Sequence, residues 1–345
     1  MSPLRPPVSA GFLAASLVAL AACSTSEPLA EAAGYDAPAR TEAAITPADL
    51  LHRVELLAHD SMAGRATPSP GLEAAANYVA GEFRRLGLEP GGDEGSHLQW
   101  YATPSEDGEA PNAVGILRGS DPELRGEYLV FSAHMDHVGV RAPDESGDSI
   151  WNGADDNASG TAAILEVAEA MVALETAPRR SVIFLLVSGE ELGLWGSDHF
   201  ARNPPVPVRS LVANVNADMV GRNWTDTIVA IGKDHSDLGA ALESVNAAHP
   251  ELGMTAIDDL WPEQNFFRRS DHYNFARRGV PAIFFFNGTH EDYHGRDDEV
   301  EKIDEEKASR VARLLYHFGL AVADADEAPE WDPESYEAIV DAASR

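Results

Sequence analysis

Cysteine is almost missing from this chain of 345 residues: the one thiol is Cys23. No intramolecular disulfide can form, and a transition ion held by the protein must take histidine nitrogen and carboxylate oxygen instead of thiolate. Lysine is nearly as scarce, with Lys233, Lys302 and Lys307 the only three, and 25 basic residues face 57 acidic ones for a formal net charge of −32. That balance makes nucleic acid and anionic membrane surfaces poor partners. Internal repeats are absent, as is any second shift in composition, so a second folded domain is not expected. What remains is 44% hydrophobic, enough to bury one large core.

The N-terminus differs from the rest. Arg5 gives a thin basic region, Val8 to Ala22 is apolar and small, and Leu20-Ala21-Ala22-Cys23 precedes a polar stretch. The apolar part is short for a bilayer span and reads as a cleaved export signal. Leu-Ala-Ala-Cys resembles the lipobox of bacterial lipoproteins, which implies a signal over 1–22, lipidation at Cys23 and anchoring to the cell envelope. Residues 23–46, rich in Ala, Glu and Pro, read as a flexible tether. The folded domain is expected over 47–325, with a tail over 326–345.

The domain is organised around SVIFLLVSGEELGLWGS. An apolar run from Val182 to Val187 reads as a strand buried on both faces, and it stops at Ser188, Gly189, Glu190 and Glu191. Two carboxylates there repel in low dielectric unless a cation sits beside them, although acidic residues also favour a helix start. Strands are read at Ala113 to Leu117, Glu127 to Ala133, Leu211 to Asn216, Thr227 to Ile231 and Pro281 to Phe286. Helices are read at Pro47 to Ala58, Gly71 to Leu86, Ser159 to Leu174, Leu238 to Ala248 and Asp304 to Ala323, and a loop at Gly91 to Pro111. This alternation predicts an α/β fold, a three-layer αβα sandwich with a mixed, largely parallel sheet.

Ligands of such sheets bind at the carboxyl ends of strands. There the chain places His134 and Asp136, then Asp218, then His290 to His294, with the turn Asn152 to Asn157 opening a helix. Each residue alone reads as an ordinary loop residue; together they converge on one crevice. Histidine and carboxylate without thiolate suit zinc or a related divalent ion. An odd carboxylate between two ligand sets suits a pair of ions about 3.5–4 Å apart, which lowers the pKa of a shared water from about 15.7 to about 7. A carboxylate that does not ligate can then carry the proton.

The motifs AHMDHVG, NGADDNASGTAAILEVA, SGEELGLWGS, NADMVGR, RRSDHYNFARRGVPAIFFF and EDYHGRDDEVEKID, in this order from about Asn112 to Leu320, are similar to those of the co-catalytic zinc aminopeptidases of metallopeptidase family twenty-eight. The resemblance implies the zinc exopeptidase fold, two Zn2+ per chain and removal of N-terminal residues from peptides. It assigns His134 and Asp218 to one ion, Glu191 and His294 to the other, Asp155 to both, and Glu190 to the general base. Asp136 is then expected to take the second ring N–H of His134. Asp271 and His272, in the family's SDH motif, are expected near the pocket, and His137, His290 and Asp156 as supporting loop residues. Where relatives often carry Thr-Pro after the late histidine, this chain has Gly295 and Arg296, and no protease-associated insert is expected. A carboxypeptidase or dipeptidase of the same superfamily stays open, since Arg222, Arg268, Arg269 or Arg296 could meet a substrate carboxylate. A single-zinc glutaminyl cyclase or a binding domain fits less well, because no ligand or base is missing. Trp261 and Asn265 to Arg269 are candidates for the specificity pocket by position.

Overall fold

The computed structural model describes residues 44–105, 108–143 and 147–341. The expected export signal, Cys23 and nearly all of the tether lie outside the described residues.

In chain order the strands are β1 (Glu89–Pro90), β2 (Leu98–Ala102), β3 (Glu109–Leu117), β4 (Tyr128–His134), β5 (Gly139–Val140), β6 (Ile150–Trp151), β7 (Ser181–Val187), β8 (Leu211–Asp218), β9 (Thr227–Ile231), β10 (Thr255–Ile257) and β11 (Ala282–Phe286). Nine of them make one sheet in the order β1-β3-β7-β4-β8-β11-β9-β10, with β2 paired to β3; β5 and β6 form a separate ribbon. The middle four, β7, β4, β8 and β11, are parallel, while β3 and β9 run against their inner neighbours. Every residue of those four is buried, as continuous apolar runs covered on both faces must be.

The helices are α1 (Pro47–Leu57), α2 (Pro70–Leu86), α3 (Gly160–Val172), α4 (Trp195–Arg202), α5 (Leu238–Ala248), α6 (His272–Ala276), α7 (Glu305–Asp324) and the short α8 (Pro333–Tyr336). Their starts are legible: the Thr46 hydroxyl caps α1 through the Asp49 N–H, Ser69 caps α2 through Leu72, and a proline occupies the first turn of each. Gly87 closes α2 at φ +74°, a left-handed position suited to glycine. Helices α1, α2, α3, α5 and α7 share the larger core with one face of the sheet. Phe200 of α4 and Phe275 of α6 pack on the other. The three layers match the α/β sandwich expected.

The stretch Gly91 to Pro111 is not simply a loop. It holds β2 and the start of β3, paired antiparallel from Leu98 with Ala113 to Ala102 with Glu109. The inward positions of β2 include a polar residue, Gln99, which donates to the Asn203 carbonyl and accepts from Asn112. A strand whose buried face is partly polar has no apolar alternation to betray it.

Candidate metal centre

The ends of β4, β7 and β8, the turn before α3 and the loop after β11 meet in one crevice. His134, the last residue of β4, is 1% exposed, and its Nε2 lies 3.3 Å from Asp218 Oδ1. Its Nδ1 is 3.2 Å from the backbone carbonyl of Asp136. The Asp136 carboxylate faces the same nitrogen at 3.7 Å, so the main-chain carbonyl is the nearer of the two acceptors. That carboxylate also joins two loops: it accepts from the Thr67 hydroxyl at 3.0 Å and from the Glu190 N–H at 3.3 Å. Thr67 in turn accepts the Gly189 N–H at 3.0 Å.

The turn before α3 requires a correction. Asp155 does not point between the two ligand groups; its Oδ1 accepts from the Gly221 N–H at 2.7 Å and the Ser159 hydroxyl at 3.0 Å, and its Oδ2 lies 3.4 Å from His290. Asp156 takes the central place. Its Oδ1 is 3.4 Å from His134 Nε2, and its Oδ2 is 3.2 Å from His294 Nε2 and 3.7 Å from His137 Nδ1. This buried Oδ2 thus faces the imidazoles of His137 and His294 at once, where a cation held by both would also lie. The Asp298 carboxylate holds the turn by accepting the N–H groups of Asp155 and Asp156.

Glu191 sits between two imidazoles, 2.9 Å from His137 Nδ1 and 2.9 Å from His294 Nε2. His137, expected only as support, therefore belongs to the cluster. Oxygen and nitrogen atoms gather in two sets, His134 with Glu190 and Asp218, and His137 with Asp156 and Glu191. The buried guanidinium of Arg65 goes to carbonyl oxygens, not carboxylates: Met135 at 2.7 Å, Asn152 at 2.7 Å, Gly153 at 3.0 Å, and Leu57. Burial lowers that guanidinium to about 10.

Burial and neighbouring charge set the protonation of the crevice. Burial, reinforced by the charges of Asp218, Asp271 and Glu191 and opposed by His134, holds the Glu190 carboxyl well above its ordinary range. Burial also raises Asp156 to about 6. Burial works against His294, yet its bonds to Asp156 and Glu191 lift it to about 10, and Asp218 and Glu190 raise His134 likewise. Protons collect where carboxylates outnumber cations, and a divalent ion would take their place. The residues present therefore fit zinc: nitrogen and oxygen donors, no thiolate among the described residues of the crevice, and a carboxylate at the centre that faces both donor groups.

Sequence reading missed the residues that aim these groups. Ser132 donates to Asn216, Asn216 to the Ser270 hydroxyl, and Ser270 to Asp218 Oδ2 at 3.0 Å, a relay that fixes the carboxylate from β4 through β8. Ser270 was legible only as the first letter of Ser-Asp-His. Its neighbours Asp271 and His272 are fully buried beneath the crevice, where burial raises the Asp271 carboxyl to about 7 and lowers His272 to about 3. A pocket opens beside Glu190 and Asp218 with Met219, Phe266, Phe284 and Phe286 in its wall. Trp261 packs behind it, 5.7 Å from Phe266 and 5.9 Å from Phe286.

Crevice and sheet together define a class of protein, the zinc exopeptidase fold. Among solved structures, the chain resembles BSAP, a zinc aminopeptidase from Bacillus subtilis, with TM-score 0.64 and 14% identity over 84% of this chain and 98% of that one. It also resembles Porphyromonas gingivalis glutaminyl cyclase, with TM-score 0.64 and 19% identity over 79% and 97%. Residues 112–319 match the model of Peptidase family M28, and the chain belongs to that family. Among curated relatives, a probable zinc metalloprotease of Leptosphaeria maculans is 25% identical over 71% of this chain and 65% of its own length. Aminopeptidase YwaD of Bacillus subtilis is 28% identical over 59% of this chain and 43% of its own. The chain thus spans roughly half to two thirds of the curated relatives it matches.

Proposed function

We propose that this protein is an exported di-zinc exopeptidase that removes N-terminal residues from peptides. One observation carries the reading: the Asp156 carboxylate lies between two ligand groups, 3.4 Å from His134 on one side and 3.2 Å from His294 on the other. His134, Asp218 and Asp156 would hold one zinc, and Glu191, His294 and Asp156 the second. Zinc bound there supplies Lewis acidity toward a carbonyl oxygen and lowers the pKa of water.

The chain's own residues do the rest. Glu190, the one carboxylate of the two sets left out of that assignment, takes the proton of the attacking water, then returns it to the departing amine. The Asp136 carboxylate, holding the Glu190 N–H, positions the base. The Ser132-Asn216-Ser270 relay and Asp298 keep Asp218 and Asp156 aimed without a mobile joint. Carboxylates of the crevice receive the substrate's free α-ammonium, which limits cleavage to chain ends.

Aminoacyl anilides and their N-acetylated copies, given to the purified protein with and without chelator, test this. Only the free-amine compounds should be cut, and zinc should restore activity removed by chelator. Cleavage of dipeptides or C-terminal residues alone would reverse the direction of action. Glu190→Gln should keep its zinc while turnover falls about 10²- to 10⁴-fold; undiminished turnover would remove Glu190 as the base. A glutaminyl cyclase reading predicts ring closure of N-terminal glutamine with one zinc per chain; both donor sets are present here, which favours two ions. Export and lipidation rest on the leader alone: Cys23→Ser should abolish fatty-acid labelling and release the protein from membranes.

A further inference from the structure

The pocket beside Glu190 contains a cation that the proposed mechanism does not use. Arg269 lines it together with Asp156, Glu190 and Asp218. Its guanidinium carbon stands 4.6 Å from the centre of the Phe266 ring. Among the described residues no carboxylate pairs with it. In this chain that is informative, because 57 acidic residues surround 25 basic ones. Of the other arginines open to a substrate role, Arg222 is committed to Asp292 at 2.7 Å. Arg268 faces a different groove, over Tyr273.

The platform under Arg269 is rigid. Phe266 is buried, 4.9 Å from Phe286 and backed by Trp261 at 5.7 Å. A planar guanidinium laid on such a ring keeps its N–H groups free for an in-plane acceptor at little cost in entropy. Asp156, Glu190, Glu191 and Asp218 carry four negative charges when ionised, which two divalent ions would balance, so the loaded crevice leaves Arg269 to a ligand.

We infer that Arg269 is a specificity-determining residue that receives a carboxylate of the substrate while the aromatic wall holds the methylenes leading to it. The inference rests on the peptidase reading above. The carboxylate has two sources, the side chain of an acidic first residue or the C-terminus of a short peptide.

Two matched pairs separate them: glutamyl against glutaminyl anilide, and Leu-Leu against Leu-Leu amide. Each is measured as kcat/KM with the zinc-loaded full chain, its Arg269→Met and its Arg269→Lys variants. Charge-assisted bidentate pairs predict that the acidic-to-neutral ratio of one pair falls about ten- to hundredfold in Arg269→Met and partly recovers in Arg269→Lys. A fall in the first pair assigns the side chain, a fall in the second the C-terminus. Equal ratios in wild type and Arg269→Met would overturn the inference. Calorimetric binding of L-glutamate against L-glutamine, and of Leu-Leu against its amide, needs no turnover. If nothing is cleaved, the peptidase reading fails while these titrations still decide Arg269: carboxylate selectivity lost in Arg269→Met supports the inference, and unchanged selectivity refutes it.

Discussion

Among the described residues, the buried carboxylates of the helical layer and those of the crevice are balanced differently. In the helical layer, Glu82, Glu166 and Glu169 surround Arg53, whose three guanidinium nitrogens reach them at 2.6–2.7 Å. Arg85 adds a second cation at 2.8 Å from Glu82 and Glu169. Burial opposes the charge on Arg53, but its carboxylate neighbours and Tyr78 hold it firmly protonated. In the crevice, no described arginine or lysine pairs with Asp156, Glu190, Glu191 or Asp218, whose cationic partners are imidazoles, and Arg65 nearby is spent on carbonyl oxygens. The first cluster carries its own cations, Arg53 and Arg85, and ties α1, α2 and α3 together, although burial still raises the Glu166 carboxyl to about 7. The second is incomplete without an external cation. A site that binds metal can thus be told from a structural ion cluster by where its arginines point.

The contrast can be broken most sharply at Arg53. Arg53→Met strands Glu166 in the core and should cost about 3–5 kcal/mol of stability, read by urea unfolding. A loss under about 1 kcal/mol would mean the helical cluster is not self-contained.

The crevice should respond in the opposite sense. Removing a carboxylate there relieves repulsion, so metal-free Asp156→Asn should be as stable as the metal-free parent or more so. What it should lose is the gain from zinc, about 2.7 kcal/mol for one site at a hundredfold excess over its dissociation constant. Asp155→Asn should keep that gain and lose only the stability of its own hydrogen bonds, about 1–3 kcal/mol. Thermal melts of the three proteins with zinc and with chelator decide which aspartate is shared; zinc response lost in Asp155→Asn and kept in Asp156→Asn would restore Asp155 to that role.

The smallest effect lies at the rim. Burial raises the Glu299 carboxyl to about 7, with Asn152 donating to it in opposition and Glu301, Asp60 and Asp148 adding to the rise. The folded state therefore holds this proton more tightly than the unfolded one. Its contribution favours folding below about pH 4.5 and is lost as pH rises through about 7. Relative to Glu299→Gln, the parent's melting temperature should decline across that window; parallel profiles would show that the group is solvated in both states.

Much of the site was legible in the chain because strand ends in a parallel sheet share one edge. Once an apolar run could be seen to stop at His134, Asp218 or Glu190, the crevice followed. Other features were hidden for physical reasons. Gln99 made β2 look like loop because its buried polar group is satisfied by Asn112 and Asn203, distant in sequence. His137 looked like a loop residue because nothing local shows that it faces Glu191, 54 positions on.

By itself, then, the sequence determined the alternation of strands and helices, the order of the motifs and the donor chemistry, since periodicity and residue type are local properties. Only the tertiary structure decided which of two adjacent aspartates reaches the centre. The answer depends on Asp298 gripping the turn and on Gly221 and Ser159 claiming Asp155, and neighbouring side chains on one turn point in different directions according to contacts that no local pattern encodes. The same holds for Arg269: the chain shows an arginine, and only the fold sets it on an aromatic ring beside Glu190 and Asp218, with no carboxylate paired to it among the described residues.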